Sequence, residues 1–293
     1  YPAADRASGP TSVYMDGLER LPPKVQMLPG FVLRSFGAID TRAVVAAPVS
    51  PARPRWPVVI FSHGYGAARA FYTGMAADLA SRGYIVLALD HPYESALVEL
   101  ADGTLALPIE RFLPQDPDRV RYMEERQSPR VKDIRYLVDR LIADEGLGPL
   151  AARADLSRII AAGHSFGGSA AIGALGEDRR IVAGADLDGM LRGGVEALPQ
   201  PRPVLVIESD HRVTSYTPLY HARIEVLMAR AGPGSIRHEI KGANHFSFSD
   251  LESFLAPPAR PLARLALGGD RPAAAVQRET VEVLDRFLTA ALP

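Results

Sequence analysis

The chain has 293 residues, 47% of them hydrophobic and 23% charged, which is the composition of a folded globular protein and excludes a wholly disordered one. The formal net charge is -1 and the basic residues are dispersed along the sequence, so we predict no nucleic-acid partner. The absence of cysteine excludes disulfides, thiolate nucleophiles and cysteine zinc sites, and no apolar run reaches the roughly 20 residues of a transmembrane helix.

The first fifty residues carry two features. The opening stretch YPAADRASGP is polar, contains proline and does not begin with Met, which is typical of a chain whose signal peptide has been removed. This favours a secreted or extracytoplasmic location. Residues 31–40 and 41–50 are both β-like and lie close together, so they predict an antiparallel hairpin that enters a sheet.

After Pro57, strand patterns alternate with helix patterns. Apolar runs at 58–62 and 84–90 flank a helical pattern at 71–82. Strands that are apolar throughout indicate burial on both faces, as in a parallel sheet covered by helices on both sides. The same alternation predicts later strands at 158–162, 181–187, 203–208 and 235–240, and helices at 131–144, after Ser165, at 216–230 and at 274–291. The sequence therefore predicts a single α/β domain over residues 1–293.

Residues 91–130 interrupt this alternation. The segment contains five prolines and is too long for a plain connection. Long segments of this kind in compact domains are typical of lids or binding loops. We therefore expect residues 91–130 to overhang the functional site.

A short glycine-rich stretch follows the predicted strand at 158–162. Gly163-His164-Ser165-Phe166-Gly167 matches the G-x-S-x-G nucleophile elbow, in which a serine sits on a strained turn between a strand and a helix. Glycine is needed on both sides of the serine because a Cβ there would meet neighbouring backbone. The stretch therefore predicts Ser165 as a nucleophile, and the alternative is that Ser165 only caps the following helix.

A serine nucleophile needs a histidine base that is oriented by a carboxylate, and in this type of fold the chain order is serine, acid, histidine. His245 lies in a glycine-containing loop after the last predicted strand, so it is the candidate base. Two candidate acids end successive strands, Asp188 and Asp210, and the pattern does not choose between them. Asp186 more naturally lies within its strand.

The tetrahedral intermediate of acyl transfer needs backbone N–H donors. The N–H of Phe166 is one candidate, and the N–H of Tyr65, in the His-Gly turn after the strand at 58–62, is the other. The candidates for a substrate pocket flank the inferred site and are Tyr93, Met190, Phe246 and Phe248. Since no metal-ligand spacing recurs among the histidines that follow strands, His63, His91 and His164, we predict no metal and no cofactor.

The stretches FSHGYGAARAFYTGMAADLASRGYIVLALDH, DLSRIIAAGHSFGGSAAI, AGADLDGM and IKGANHFSFSD together resemble the platelet-activating factor acetylhydrolase family of α/β-hydrolases. The resemblance covers about residues 25–290. It implies that the acid is Asp188, in the Leu-Asp pair after the strand that follows the serine. It also implies hydrolysis of short or oxidised acyl chains from the second position of phospholipids, without calcium. The chain departs from the animal members at GMLRGG and in residues 91–130, where the acyl and leaving groups would bind.

A second, weaker resemblance joins GHS-x-GG with GANHF and is to bacterial cutinases and polyester hydrolases, which implies Asp210 as the acid. We therefore expect an α/β-hydrolase that acts as a serine esterase on a small-molecule or lipid ester. The alternatives are a cutinase-like or general carboxylesterase, a serine peptidase, and a catalytically silent binding module that keeps the fold.

Overall fold

Eight strands form two sheets in the computed structural model, which describes residues 1–5, 7–15, 39–109, 118–143, 147–199, 201–255, 257–266 and 269–292. In chain order the strands are β1 (Trp56–Ser62), β2 (Ile85–Leu89), β3 (Val98–Glu99), β4 (Leu105–Ala106), β5 (Ala154–His164), β6 (Ile181–Leu187), β7 (Val204–Glu208) and β8 (Ile236–Glu239). Six of them form the main sheet in the spatial order β2-β1-β5-β6-β7-β8, whereas β3 and β4 form a separate antiparallel pair. All neighbours in the main sheet are parallel. The carboxyl ends of β1, β5 and β6 therefore meet at one edge.

Six α-helices accompany the strands in the described residues. They are α1 (Thr73–Ser81), α2 (Asp118–Ile142), α3 (Phe166–Glu177), α4 (Pro218–Arg230), α5 (Arg260–Ala266) and α6 (Ala273–Ala291). None of the helices in the described part of the chain combines the length and the apolar character needed to cross a membrane.

The core lies on both faces of the main sheet because successive strand residues point to opposite sides. In β1, Val58 and Ile60 pack with buried residues of α2, α3 and α4. Val59 and Phe61 pack on the other face with buried residues of α1 and α6. Burial on both faces is the reason that these strands read as continuous apolar runs.

The predicted strands and helices from residue 58 onwards are present, with one large difference at α2. The predicted helix at 131–144 begins at Asp118 instead and contains Pro129 in its interior. Proline removes a backbone hydrogen bond and usually interrupts a helix, so the sequence pattern predicted a helix only after Pro129. Buried side chains on both sides of Pro129, including Gln127 and Arg130, keep this face of the helix packed on either side of the proline.

The predicted N-terminal hairpin is only partly within the described structure. Its first half includes residues 31–38, which lie outside the described residues. The second half, 41–50, does not pair with the main sheet in the described region. It makes isolated antiparallel bridges to the first residues of the chain, Thr11 with Val44 and Ala3 with Val49.

The segment 91–130 consists of two described parts. Its first part contains the β3–β4 pair, and its last part is the beginning of α2. Residues 110–117 lie outside the described residues. A role for this segment as a lid or binding loop stays a prediction.

Asp250 joins three parts of the chain around the segment that follows His245. Its carboxylate is buried and accepts hydrogen bonds from the hydroxyl of Tyr14 at 2.9 Å, the N–H of Gly74 at 3.1 Å and the amide of Gln277 at 3.3 Å. Burial, which these hydrogen bonds oppose only in part, raises the pKa of Asp250 to about 6. The carboxylate thus ties α1, α6 and the N-terminal segment together.

We predict that Asp250 makes the folded chain less stable as the pH rises from about 4 to about 6. The pKa of Asp250 is about 6 in the folded state and about 3.9 for an unfolded aspartate. The stabilisation is therefore complete below the unfolded pKa and is lost as the pH rises through the folded pKa. A difference of about 2 in pKa corresponds to roughly 3 kcal/mol.

Urea unfolding of the parent and of Asp250→Asn between pH 4 and pH 7 measures this effect. As the pH rises, the free energy of unfolding of Asp250→Asn should increase relative to that of the parent. An Asp40→Asn control, at an exposed carboxylate, should show no such relative increase. A constant difference between the parent and Asp250→Asn would contradict the prediction.

Candidate active site

Ser165 occupies the turn between β5 and α3 in a conformation that is unusual for a residue with a side chain. Its φ is 56° and its ψ is -122°. The N–H of Ser165 donates to the carbonyl of Leu187 at 2.8 Å, which extends the pairing of β5 with β6 up to the turn. Such backbone geometry costs roughly 1–3 kcal/mol and persists only where the surrounding structure imposes it.

The glycines on both sides of Ser165 let this turn pass close to β1. A Cβ on Gly167 would lie 2.0 Å from the carbonyl oxygen of Ser62, and a Cβ on Gly163 would lie 2.3 Å from the carbonyl oxygen of Gly167. No side chain fits at such distances. This close approach is the physical reason for the glycine pattern in the sequence.

His245 reaches Ser165 from a short 3₁₀ helix, His245–Phe248, that follows β8. Its Nε2 lies 3.0 Å from Oγ of Ser165. The side chain of Asn244 caps the 3₁₀ helix by accepting from the N–H groups of Phe246 at 2.8 Å and Ser247 at 3.1 Å. The cap fixes the backbone from which the imidazole projects.

Asp188 contacts the other nitrogen of this imidazole. Its Oδ2 lies 2.6 Å from Nδ1 of His245. Its Oδ1 accepts from the N–H of Ser209 at 2.7 Å and from the hydroxyl of Tyr216. Burial disfavours the charged carboxylate, but the hydrogen bonds from His245, Tyr216 and Ser209 outweigh it, so the pKa of Asp188 lies below its usual value. With Nδ1–H donated to the carboxylate, Nε2 is left to accept from Ser165.

Asp210, the alternative acid, has different partners. It forms a 2.6 Å ion pair with Arg212 and accepts from the N–H of Gly242 at 2.7 Å. Within the described residues it makes no hydrogen bond with His245. The structure thus brings together Ser165, His245 and Asp188, and leaves Asp210 apart.

Asp186 lies within β6, two residues before Asp188, and is completely buried. Burial, with the negative charge of Asp188 adding to it, raises the pKa of Asp186 well above its usual range. A carboxyl group in this position belongs to the interior of the sheet, as the sequence predicted for it.

The His-Gly loop after β1 passes beside the serine. A Cβ on Gly64 would lie 3.4 Å from Cβ of Ser165. A fully buried arginine holds this loop, since Nη1 of Arg130 donates to the carbonyl of His63 at 2.6 Å while its Nε donates to Glu94 at 2.7 Å. The same guanidinium lies 4.7 Å from the ring centroid of Phe166. Arg130 therefore contacts both segments that carry the predicted N–H donors.

The four candidate pocket residues separate into two groups. Phe246 and Tyr93 are 44% and 48% exposed, and Met190 is partly buried against the core beside α2–α4. The ring of Phe246 lies 5.6 Å from that of His245. Phe248 is completely buried among core residues and packs against His164 at 5.7 Å. The 3₁₀ helix turns the ring of Phe248 into the core, and its assignment to a pocket stays a prediction.

Two of the three histidines that the sequence places at strand ends, His63 and His91, are engaged in buried hydrogen bonds. His63 contacts Ser95 at 2.7 Å and the carbonyl of Gly64 at 2.6 Å, and His91 bridges Ser62 at 2.8 Å and Asp133 at 2.7 Å. Among the residues that the structure describes, no group of three or more His, Asp or Glu side chains is arranged to hold a metal ion.

Sequence reasoning missed Tyr216 and Arg130. Tyr216 is remote in sequence from the acid that it contacts, and Arg130 lies in a stretch that the proline pattern assigned to an irregular segment. The signal that could have placed Arg130 on α2 is the long polar run around it, if that run is read as a helix.

Comparison with known proteins finds relatives that are named acetylhydrolase or esterase. The family model for platelet-activating factor acetylhydrolase, isoform II, matches residues 4–122. A protein of Arthroderma benhamiae named probable 1-alkyl-2-acetylglycerophosphocholine esterase is 30% identical over 210 residues, 68% of this chain and 50% of that protein. The platelet-activating factor acetylhydrolase of Canis lupus familiaris is 26% identical over 226 residues, 69% of this chain and 50% of that protein. The chain thus spans about half the length of these relatives.

A solved structure extends the comparison to the whole chain. The ferulic acid esterase from Streptomyces cinnamoneus superposes with a TM-score of 0.77 at 28% identity, covering 99% of this chain and 80% of that one. The predicted α/β-hydrolase fold and the predicted resemblance to the acetylhydrolase family are confirmed.

We predict that Tyr216→Phe weakens ester hydrolysis and moves the acid limb of its pH profile upwards. Without the hydroxyl, Oδ1 of Asp188 loses a donor that lowers its pKa. The carboxylate then takes up a proton at a higher pH, and kcat/KM should fall about tenfold, the effect of one hydrogen bond to a charged group.

Tyr220→Phe is the matched control, because Tyr220 stacks on Tyr216 at 4.2 Å but its hydroxyl contacts Glu208. The measurement is kcat/KM against pH for p-nitrophenyl butyrate with the parent and both variants. Equal profiles for Tyr216→Phe and Tyr220→Phe would assign Tyr216 a packing role only.

Proposed function

We infer that this homologue of the platelet-activating factor acetylhydrolases is a serine carboxylic-ester hydrolase that forms an acyl-enzyme on Ser165. The observation that carries the inference is the continuous line of hydrogen bonds from Ser165 through His245 to Asp188, at 3.0 Å and 2.6 Å. The similarity to proteins named acetylhydrolase and esterase supports the same reaction class.

The geometry supports a two-step reaction. As Oγ of Ser165 bonds to the carbonyl carbon of the ester, its proton passes to Nε2 of His245, and Asp188 stabilises the imidazolium through Nδ1–H. The imidazolium then gives its proton to the departing alcohol, which leaves the acyl group on Ser165. A water molecule, deprotonated in turn by His245, attacks the acyl-enzyme, and the imidazolium returns this proton to Oγ of Ser165 as the carboxylic acid leaves.

The negative oxygen of each tetrahedral intermediate needs donors fixed beforehand. We assign this role to the backbone N–H groups of Tyr65 and Phe166. Two observations support the assignment. The His-Gly loop lies against Ser165, and the guanidinium of Arg130 contacts both this loop and the ring of Phe166.

We propose esters with short or medium acyl groups, of the platelet-activating factor type, as substrates. The named activity of the relatives supports this choice. The ring of Phe246 is 44% exposed and lies 5.6 Å from that of His245, so we assign it to an apolar mouth of the site, with the exposed Tyr93 as a further candidate there. The first turns of α2 approach it as well, because the ring of Tyr122 lies 6.5 Å from that of Tyr65. We therefore also propose that this end of segment 91–130 forms one wall of the site.

A second candidate is hydrolysis of aryl or general carboxylic esters. The observation in its favour is the structural match to a ferulic acid esterase over 99% of this chain. In either case the same three side chains would do the chemistry, so the two candidates differ only in the groups that surround the ester.

We predict that a fluorophosphonate labels Ser165 and that Asp188→Asn lowers kcat on p-nitrophenyl butyrate by roughly 10⁴, because the imidazole then takes the wrong tautomer. Asp210→Asn is the control, since its carboxylate pairs with Arg212 instead. Peptide mapping of the adduct and steady-state kinetics are the measurements. If only Asp210→Asn is inactive, the cutinase-like interpretation replaces ours. If Ser165 stays unlabelled and no ester is hydrolysed, the protein is a silent binding module.

Substrate class is tested separately by kcat/KM on 1-alkyl-2-acetylglycerophosphocholine, methyl ferulate and p-nitrophenyl butyrate. We expect the acetylated phospholipid to exceed methyl ferulate by at least tenfold, equivalent to about 1.4 kcal/mol of transition-state binding. The opposite order would favour the second candidate. An anilide of butyric acid, hydrolysed as fast as the ester, would indicate a peptidase.

A further inference from the structure

A buried chain of hydrogen bonds connects the His-Gly loop to the backbone of His245. The N–H of Gly64 lies 3.2 Å from the hydroxyl oxygen of Tyr72, which in turn lies 2.8 Å from Nδ1 of His164. Nε2 of His164 lies 2.9 Å from the carbonyl oxygen of His245. None of these contacts involves the side chains that the proposed reaction uses.

The direction of every bond in this chain is fixed. Because the N–H of Gly64 can only donate, the oxygen of Tyr72 accepts there, and the hydroxyl keeps its own proton to donate elsewhere. Because the carbonyl of His245 can only accept, Nε2 of His164 must carry a proton. In a neutral imidazole that carries its proton on Nε2, Nδ1 is the acceptor, so the hydroxyl of Tyr72 donates to it.

The surroundings keep His164 in that state. Its side chain is buried, as is that of Tyr72. Burial, together with the neighbouring imidazole of His245, lowers the pKa of His164 to about 3. A second proton on His164 would sit on Nδ1 and face the hydroxyl proton of Tyr72. Because of its low pKa, His164 does not take up this proton near neutral pH.

The two ends of the chain are the two parts that must be aligned with Ser165. The peptide between Gly64 and Tyr65 carries the proposed donor N–H of Tyr65, and its carbonyl contacts Nδ1 of His63 at 2.6 Å. Tyr72 fixes the preceding N–H, so the peptide is held from both sides. At the other end, the bond to the carbonyl of His245 fixes the backbone of the base. His164 itself is covalently joined to Ser165.

We propose that Tyr72 and His164 are positioning residues that hold the His-Gly loop and the backbone of His245 in register with Ser165. The proposal rests on the proposed function. It adds that the alignment of donor and base is set by one buried network and not separately by each loop.

Tyr72→Phe tests the network, because it removes the hydroxyl and keeps the ring. Loss of one oxyanion donor outright costs about 10² to 10³ in rate, and a donor that is present but poorly aligned should cost less. We expect kcat on p-nitrophenyl butyrate to fall about 10- to 50-fold, KM to change less than threefold, and the affinity for a trifluoromethyl ketone inhibitor to fall in parallel with kcat.

Tyr84→Phe is the matched control, since Tyr84 is a buried tyrosine of the same core whose hydroxyl contacts Asp285 at 2.9 Å. It should lower the melting temperature about as much as Tyr72→Phe and leave kcat unchanged. Equal kcat values for the two variants, with fluorophosphonate still labelling Ser165 and the parent still active, would overturn this inference alone. An inactive, unlabelled parent would overturn the proposed function instead.

A second pair of variants tests His164 without relying on Tyr72. The amide of His164→Gln keeps an N–H near the position of Nε2, whereas His164→Leu keeps no polar atom. We expect His164→Gln to retain at least fivefold more kcat than His164→Leu at similar melting temperatures. Equal losses in the two variants would contradict a role for the bond to His245.

Discussion

The placement of the Ser165 hydroxyl depends on how closely the chain around it approaches β1. Backbone atoms of the turn pass the carbonyl of Ser62 at a distance that leaves no room for a Cβ on Gly163 or Gly167. This approach forces the positive φ of Ser165 and directs its side chain out of the sheet edge. The other groups of the site, from β6, β8 and the His-Gly loop, are arranged around that point.

A buried cation supports the same region. Arg130 is removed from water, and its charge is balanced by Glu94 at 2.7 Å. Burying such a pair is seldom favourable for stability when compared with apolar residues of the same size. What the pair provides is geometry, because one rigid guanidinium contacts the His-Gly loop and the ring of Phe166, next to Ser165, at once. The backbone at the site is thus supported by groups that are themselves buried away from solvent.

The sequence predicts the elements whose signals are local. Continuous apolar runs predicted the parallel strands because burial on both faces leaves no polar alternation, and the glycines around Ser165 predicted the turn. The choice between Asp188 and Asp210 needed the family resemblance, since two adjacent parallel strands both end in a carboxylate. Tyr72, Arg130 and Tyr216 were not predicted, because each acts through a contact between residues distant in sequence. Pro129 concealed the first three turns of α2, since tertiary packing outweighed its effect on the helix.

Ser165 and Asp188 both have left-handed backbone conformations, with φ values of 56° and 59°, at the ends of adjacent strands. Glycine adopts such conformations without strain, so the chain carries a conformational penalty at these two positions in exchange for their side chains. A laboratory selection for thermal stability alone would favour replacement of both residues, and the hydroxyl and carboxylate of the proposed reaction would then be lost. Directed evolution of this scaffold should therefore hold these two codons constant and seek robustness elsewhere.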